Sequence, residues 1–153
     1  MMVSPTVSTI DEVEGLVGTA FGPSSWREIP QEDINLYADL SGDDNPIHVD
    51  AEIAAKSPYG GTIAHGMLTL SMIVVHLREI YRVTGAGMGI VYGFNKIRFP
   101  NAVPAGSRIR VHGHVASVSA VPGGWQVELA LTFELEGAEK PACVAEIILR
   151  HYR

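Results

Sequence analysis

Cysteine is nearly absent. Cys143 stands alone, so no disulfide can close within the chain, and its place in an apolar run points to a buried thiol in a reducing compartment. Basic residues are scarce as well: 11 Lys and Arg face 17 Asp and Glu for a net charge of −6, and the bases are scattered apart from the pairs Lys96/Arg98 and Arg108/Arg110. That balance excludes a nucleic-acid surface, which needs clustered cations against the phosphates, and leaves room only for a local site for a small anionic ligand. Long hydrophobic runs are missing too. The longest apolar stretch, 67–75, is too short to span a bilayer. The opening MMVSPTVSTIDEVEG has neither a basic region nor a continuous apolar region of the secretory kind, so a cytoplasmic protein without a membrane partner is expected. Internal repeats and low-complexity segments are absent, and 85–89, although glycine-rich, lacks the preceding strand and following helix of a phosphate-binding loop.

What the chain does have suits one domain. Its 153 residues are 46% hydrophobic and 18% charged, enough to bury a real core. Residues 1–24 are polar and punctuated by Gly and Pro; they read as a peripheral extension with one short helix, capped by Ser8 or Thr9 and limited by Gly15 and Gly18. Residues 24–30 read as a short extended piece. A helix is predicted over 31–40, where Ile34, Tyr37, Ala38 and Leu40 recur at helical spacing, and Ser41-Gly42 ends it. Asp50 is a fitting N-cap for a further short helix over 51–56. The main helix runs over about 65–84: its first half is apolar nearly all round, it regains a polar side at Arg78, Glu79 and Arg82, and Gly85 closes it. From there the pattern is strand-like, over 89–99, 108–118, 125–136 and 143–152. In the third of these, Val127, Leu129, Leu131, Phe133 and Leu135 alternate with wetter positions. One enclosed helix followed by an antiparallel meander implies an α+β fold in which the sheet wraps the helix.

Most of the chemistry concentrates in about 31–61, a stretch of helices and loops ahead of the main helix. The run Asp43-Asp44-Asn45-Pro46-Ile47-His48 places a carboxylate, an amide and an imidazole around a proline that fixes its own φ and biases Asn45 toward extended geometry. A carboxylate and an imidazole held within reach of one water can divide a proton transfer between them. The same residue types also build an Asx-type turn, in which Asp and Asn bond the backbone and His48 is a half-buried partner. Gly66 opens the main helix, where unpaired N–H groups point outward and a carbonyl can approach closely; close packing of the helix start on the sheet is the alternative reason for a glycine there. His65 suits a capping or core position. His48-Val49-Asp50 and His112-Gly113-His114 lack a third ligand at a metal-binding spacing, so no metal is expected.

Asp43-x-Asn45-Pro46-x-His48 followed by Ala64-His65-Gly66-Met67 resembles the hydratase motif of the MaoC-like dehydratases and (R)-specific enoyl-CoA hydratases, which have the hot-dog fold. Tyr92-Gly93-Phe94-Asn95-Lys96-Ile97-Arg98-Phe99-Pro100 and Val103-Pro104-Ala105-Gly106 are similar to the single-hot-dog, nodulation-protein-N-like branch. The resemblance covers roughly 25–153 as one hot-dog domain, with 1–24 an extension and about 31–61 a helical and loop segment overhanging the site. It implies an enzyme of fatty-acid metabolism that reversibly adds water to a trans-2-enoyl thioester, giving the (R)-3-hydroxyacyl thioester. Asp43 and His48 would activate the water and deliver the proton, Gly66 N–H would polarise the thioester carbonyl, and Asn45, Pro46 and His65 would support them. Lys96 and Arg98 are candidates for the phosphates of coenzyme A, and Met67 for the acyl tunnel. No cofactor is implied, the coenzyme A or acyl-carrier-protein thioester being the substrate, and one hot-dog unit implies a homodimer. An acyl-thioesterase on the same fold and a non-catalytic acyl-CoA-binding module are the alternatives. The first often uses a carboxylate on the main helix, which has none between Gly66 and Arg78.

Overall fold

The computed structural model describes residues 5–153. In chain order it contains β1 (Thr6–Thr9), a 3-10 turn (Val13–Leu16), β2 (Ala20–Phe21), β3 (Arg27–Glu28), α1 (Gln31–Ser41), α2 (Pro46–Val49), α3 (Ala51–Ala55), α4 (Gly66–Ser71), α5 (Ile73–Ile80), β4 (Tyr81–Thr84), β5 (Met88–Arg98), β6 (Arg108–Val121), β7 (Gly124–Leu135) and β8 (Cys143–Tyr152). The main sheet runs β2-β6-β7-β8-β5, with β3 pairing on β6 beyond the end of β2. All its pairings are antiparallel.

Period-two alternation in β7 buries Val127, Leu129, Leu131, Phe133 and Leu135 on one face. With Ile109, Val111 and Val115 of β6 and Ala145 and Ile147 of β8 they form the floor on which Leu68, Leu70, Ile73, Leu77 and Ile80 of the helical layer rest. Cys143 belongs to the same core, and burial pushes its thiol pKa up to about 12. The antiparallel sheet against a central helix is therefore as the sequence implies, and the four long strands begin and end close to their predicted limits.

Two expectations are corrected. The main helix covers 66–80 rather than 65–84, with Met72 a turn residue between α4 and α5. At Tyr81 the backbone switches to extended geometry (φ −141°, ψ 132°), and residues 81–84 form a parallel pair with β1. Tyr81 and Val83 suit either state, and the partner strand decides between them. Gly85 does adopt a left-handed φ of 74°, but it follows a strand.

The described part of residues 1–24 is not a loose appendage. Val13 and Phe21 are buried in the main core, and Ser24 Oγ accepts from Val111 N–H at 2.9 Å. Thr9 belongs to β1, and its hydroxyl donates to Glu12 at 2.8 Å ahead of a 3-10 turn instead of capping an α-helix. Residues 1–4 lie outside the described residues.

Candidate active site

The turn after α1 is built by its own side chains. Gly42 takes a left-handed φ of 77° and bonds its N–H to Ala38 O. Asp43 N–H then donates to Ser41 Oγ at 3.2 Å. Asn45 is the N-cap of α2, its Oδ1 accepting from Ile47 N–H at 3.3 Å, and Pro46 occupies the first turn, where a missing N–H costs nothing. The Asx-turn reading of Asn45 therefore holds, and this cap sets the start of α2, which carries His48. Asp50 caps α3 through Glu52 and Ile53 N–H at 3.0 Å each. Gln31, on the first turn of α1, donates to His48 O at 2.8 Å and accepts from Thr62 Oγ1 at 2.6 Å, which ties α1, α2 and the loop before α4 into one unit.

His48 is buried, with Nδ1 2.7 Å from Ile63 O. A carbonyl only accepts, so Nδ1 carries the proton and the neutral ring presents Nε2 as its basic atom. His65 is buried as well, and its Nε2–H donates to the Asp43 carbonyl at 2.8 Å. The two imidazoles stack with centroids 3.8 Å apart, and Tyr37 packs on His65 at 4.8 Å. Side-chain ligand atoms of Asp43, His48 and His65 all lie within 4.8 Å of one another. Asp44 has no place in that group. The trio has the spacing of a metal site, and each ring commits one nitrogen to a backbone carbonyl and keeps the other for a further partner.

His48 and Gly66 share the lining of one pocket of about 420 Å³, within the size range of small-molecule sites. Its buried wall is Ile63, Ala64, Thr69, Val103 and Ala142, and its rim includes Tyr59, Phe99 and Asn101. The N-cap residue of α4 is His65, whose side chain makes no cap hydrogen bond and reaches Asp43 O instead. The first amides of that helix thus have no side-chain acceptor among the described residues. A Cβ built on Gly66 would come within 3.0 Å of the Phe99 ring, so close approach to this backbone is what the glycine permits.

Lys96, Arg98 and Met67 are not among the residues that line this pocket. Lys96 lines a depression on the outer sheet face with His112, His114 and Glu146. Arg98 donates to its own neighbour's carbonyl, Ile97 O, and Met67 is exposed. Sequence reasoning missed Gln31, Tyr37, Thr69 and the 99–103 wall. Only their polarity or aromaticity marked them, and nothing in local spacing connects them with 43–48.

The family described as the MaoC like domain matches residues 12–131. The chain is 43% identical over 147 residues to 3-hydroxyacyl-thioester dehydratase Z of Mycobacterium tuberculosis, covering 95% of this chain and 97% of that protein. It is 39% identical over 149 residues to Nodulation protein N of Rhizobium meliloti, covering 92% and 89%. Among solved structures, the unliganded R-hydratase PhaJ1 from Pseudomonas aeruginosa superposes with a TM-score of 0.71 at 28% identity, covering 90% of this chain and 82% of that one.

Proposed function

The chain belongs to the MaoC-like dehydratase family and has its hot-dog fold, and on that premise we propose that it is an (R)-specific hydro-lyase whose reaction runs in the 420 Å³ pocket beside His48. It reversibly adds water across the double bond of a trans-2-enoyl thioester to give the (R)-3-hydroxyacyl thioester. One observation supports the assignment of parts: His48, whose ring lies within 4.8 Å of ligand atoms of Asp43 and His65, lines the same pocket as Gly66, the first residue of α4.

The residues divide the work. His48 Nε2, left basic by the Nδ1–H bond to Ile63, takes a proton from water, and the Asp43 carboxylate orients that water and stabilises the imidazolium that forms. The water oxygen bonds to C3 while the C2–C3 π electrons move toward the thioester carbonyl. Gly66 N–H meets the negative charge that builds on the carbonyl oxygen. A proton then returns to C2 from the same Asp43/His48 pair, which leaves the enzyme unchanged. Atoms and charge balance without a redox partner or metal, so no cofactor is required. Asn45, Pro46 and His65 hold these groups in place.

The substrate is an acyl thioester of coenzyme A or of acyl carrier protein, which present the same reactive arm. A homodimer is part of the same reading. Among the described residues β5 pairs only with β8, which leaves one edge of an eleven-residue strand without a partner there, and Met88, Ile90, Val91 and Tyr92 along the strand are exposed. An open apolar edge of that length needs covering, and a second copy supplies a matching one. Among the described residues no helix is long and apolar enough to cross a membrane, and a cytoplasmic location fits an enzyme that draws on soluble thioesters.

The test is to add the protein to crotonyl-CoA and follow the absorbance of the conjugated thioester together with free thiol. Absorbance loss without thiol release, and a 3-hydroxy product of R configuration, is expected. Thiol release would make the protein a thioesterase instead.

A further inference from the structure

One polar group in the pocket has no partner in the chain. Thr69 is 1% exposed and lines the pocket with Gly66 and His48, and its Oγ1 is buried without a hydrogen bond. A threonine inside a helix commonly lends its hydroxyl to the carbonyl four residues back. That carbonyl, on His65, accepts Thr69 N–H at 3.0 Å, and the hydroxyl does not join it. The rest of the pocket's buried wall, apart from His48, is apolar: Ile63, Ala64, Val103 and Ala142. Valine has the same shape and would leave nothing unpaired, so an unpartnered hydroxyl here is a standing loss to the fold unless something that enters the pocket bonds it.

We propose that the Thr69 hydroxyl is a substrate-binding group that donates a hydrogen bond to the thioester carbonyl oxygen. The inference rests on the pocket being the acyl-thioester site. Helical side chains lean toward the N-terminal end, and residues three apart share a face, so the Thr69 side chain reaches back over the turn that begins at Gly66. A hydroxyl proton rotates freely to meet an acceptor. The carbonyl oxygen gains charge as water adds at C3, so a donor to it binds the transition state more strongly than the substrate, and its loss appears in kcat as well as in KM. The contact also fixes the plane of the enoyl group relative to His48.

The experiment compares Thr69→Val and Thr69→Ser with the wild-type full chain, by steady-state hydration of crotonyl-CoA and by thermal melting. Thr69→Val is expected to lower kcat/KM about 10- to 100-fold while its Tm stays equal to the wild-type value or rises, because the unpaired hydroxyl is gone. Thr69→Ser, which keeps the donor, is expected to stay within about threefold of wild type. Thr69→Val with wild-type kcat/KM overturns the proposal, and so does a fall in Tm that accompanies the loss of activity, since the hydroxyl would then be structural. A wild-type chain inert toward crotonyl-CoA and longer enoyl thioesters overturns the reading of the pocket and this inference with it. An active wild type with an unaffected Thr69→Val overturns the inference alone.

Discussion

The rings of His48 and His65 stack with centroids 3.8 Å apart and planes 30° from parallel, which makes His65 a common support of both halves of the proposed proton-transfer pair. It steadies the His48 ring by contact and holds the Asp43 backbone through Nε2–H at 2.8 Å.

His65→Phe separates these roles. The phenyl ring keeps the stack on His48 and Tyr37 but lacks the donor to Asp43, so turnover is expected to fall about tenfold or more as the carboxylate loses its register. Thermal stability should change little, because the lost bond is offset by removal of His65 Nδ1, which is buried without a partner. Steady-state kinetics and melting on one preparation check this. A wild-type rate would show that the Asp43 anchor has no bearing on the chemistry.

His76 sets an acid limit on the fold. It is fully buried on α5, with Nδ1 2.8 Å from Ser24 Oγ, and burial, reinforced by the charge of Arg27, lowers its pKa from 6.5 to about 4. The folded pKa lies below the unfolded one, so the unfolded chain binds the proton first as pH falls. Its contribution is complete above about pH 6.5 and is lost progressively between pH 6.5 and about 4, a change on the order of 2 kcal/mol. Urea denaturation at pH 7.5, 5.5 and 4 is expected to show that decline, and His76→Gln, which retains a polar partner for Ser24, should flatten it. An equal slope in the variant would assign the acid sensitivity to other groups.

The open edge of β5 gives a test of assembly. Val91 is 47% exposed on that strand. Lysine there places a charge in the middle of the expected interface, so Val91→Lys should weaken dimerisation at least about 100-fold. Sedimentation should then find a species near the 16.5 kDa chain mass where wild type runs at twice that value. A monomeric wild type would remove β5 as an interface.

The N-terminal segment is testable through one side chain. Val13 is fully buried in the main core, so Val13→Ala is expected to cost about 1–3 kcal/mol in chemical denaturation. A loss under about 0.5 kcal/mol, the usual range for a surface change, would mean that the segment does not carry core energy.

Much of this architecture was legible in the chain. Strands β6 to β8 announce themselves because each has one wet face, so the period of two survives in the sequence. α1 and α3 are bounded by the local chemistry of Gly42 and Asp50, which does not depend on distant partners. The end of the central helix was not legible, since Tyr81 and Val83 become strand only because residues 6–9 lie alongside. For the same reason Val13 and Phe21, set in a polar and glycine-punctuated segment, gave no sign of burial. At the candidate site, Asp43, His48 and Gly66 were marked because two short motifs, 43–48 and 64–67, carry them. The stacking of His65, the clamp at Gln31 and the unpaired Thr69 hydroxyl arise from contacts between segments, and a lone polar residue looks the same in the sequence whether or not it has a partner.

The central claim is that Asp43 and His48 together add water in this pocket, and the most direct measurement is hydration of crotonyl-CoA by wild type, Asp43→Asn and His48→Gln, with circular dichroism on each. Wild type should consume the conjugated thioester, and both variants should remain folded while losing at least about 100-fold in kcat. Asp43→Asn turning over at the wild-type rate would contradict the account.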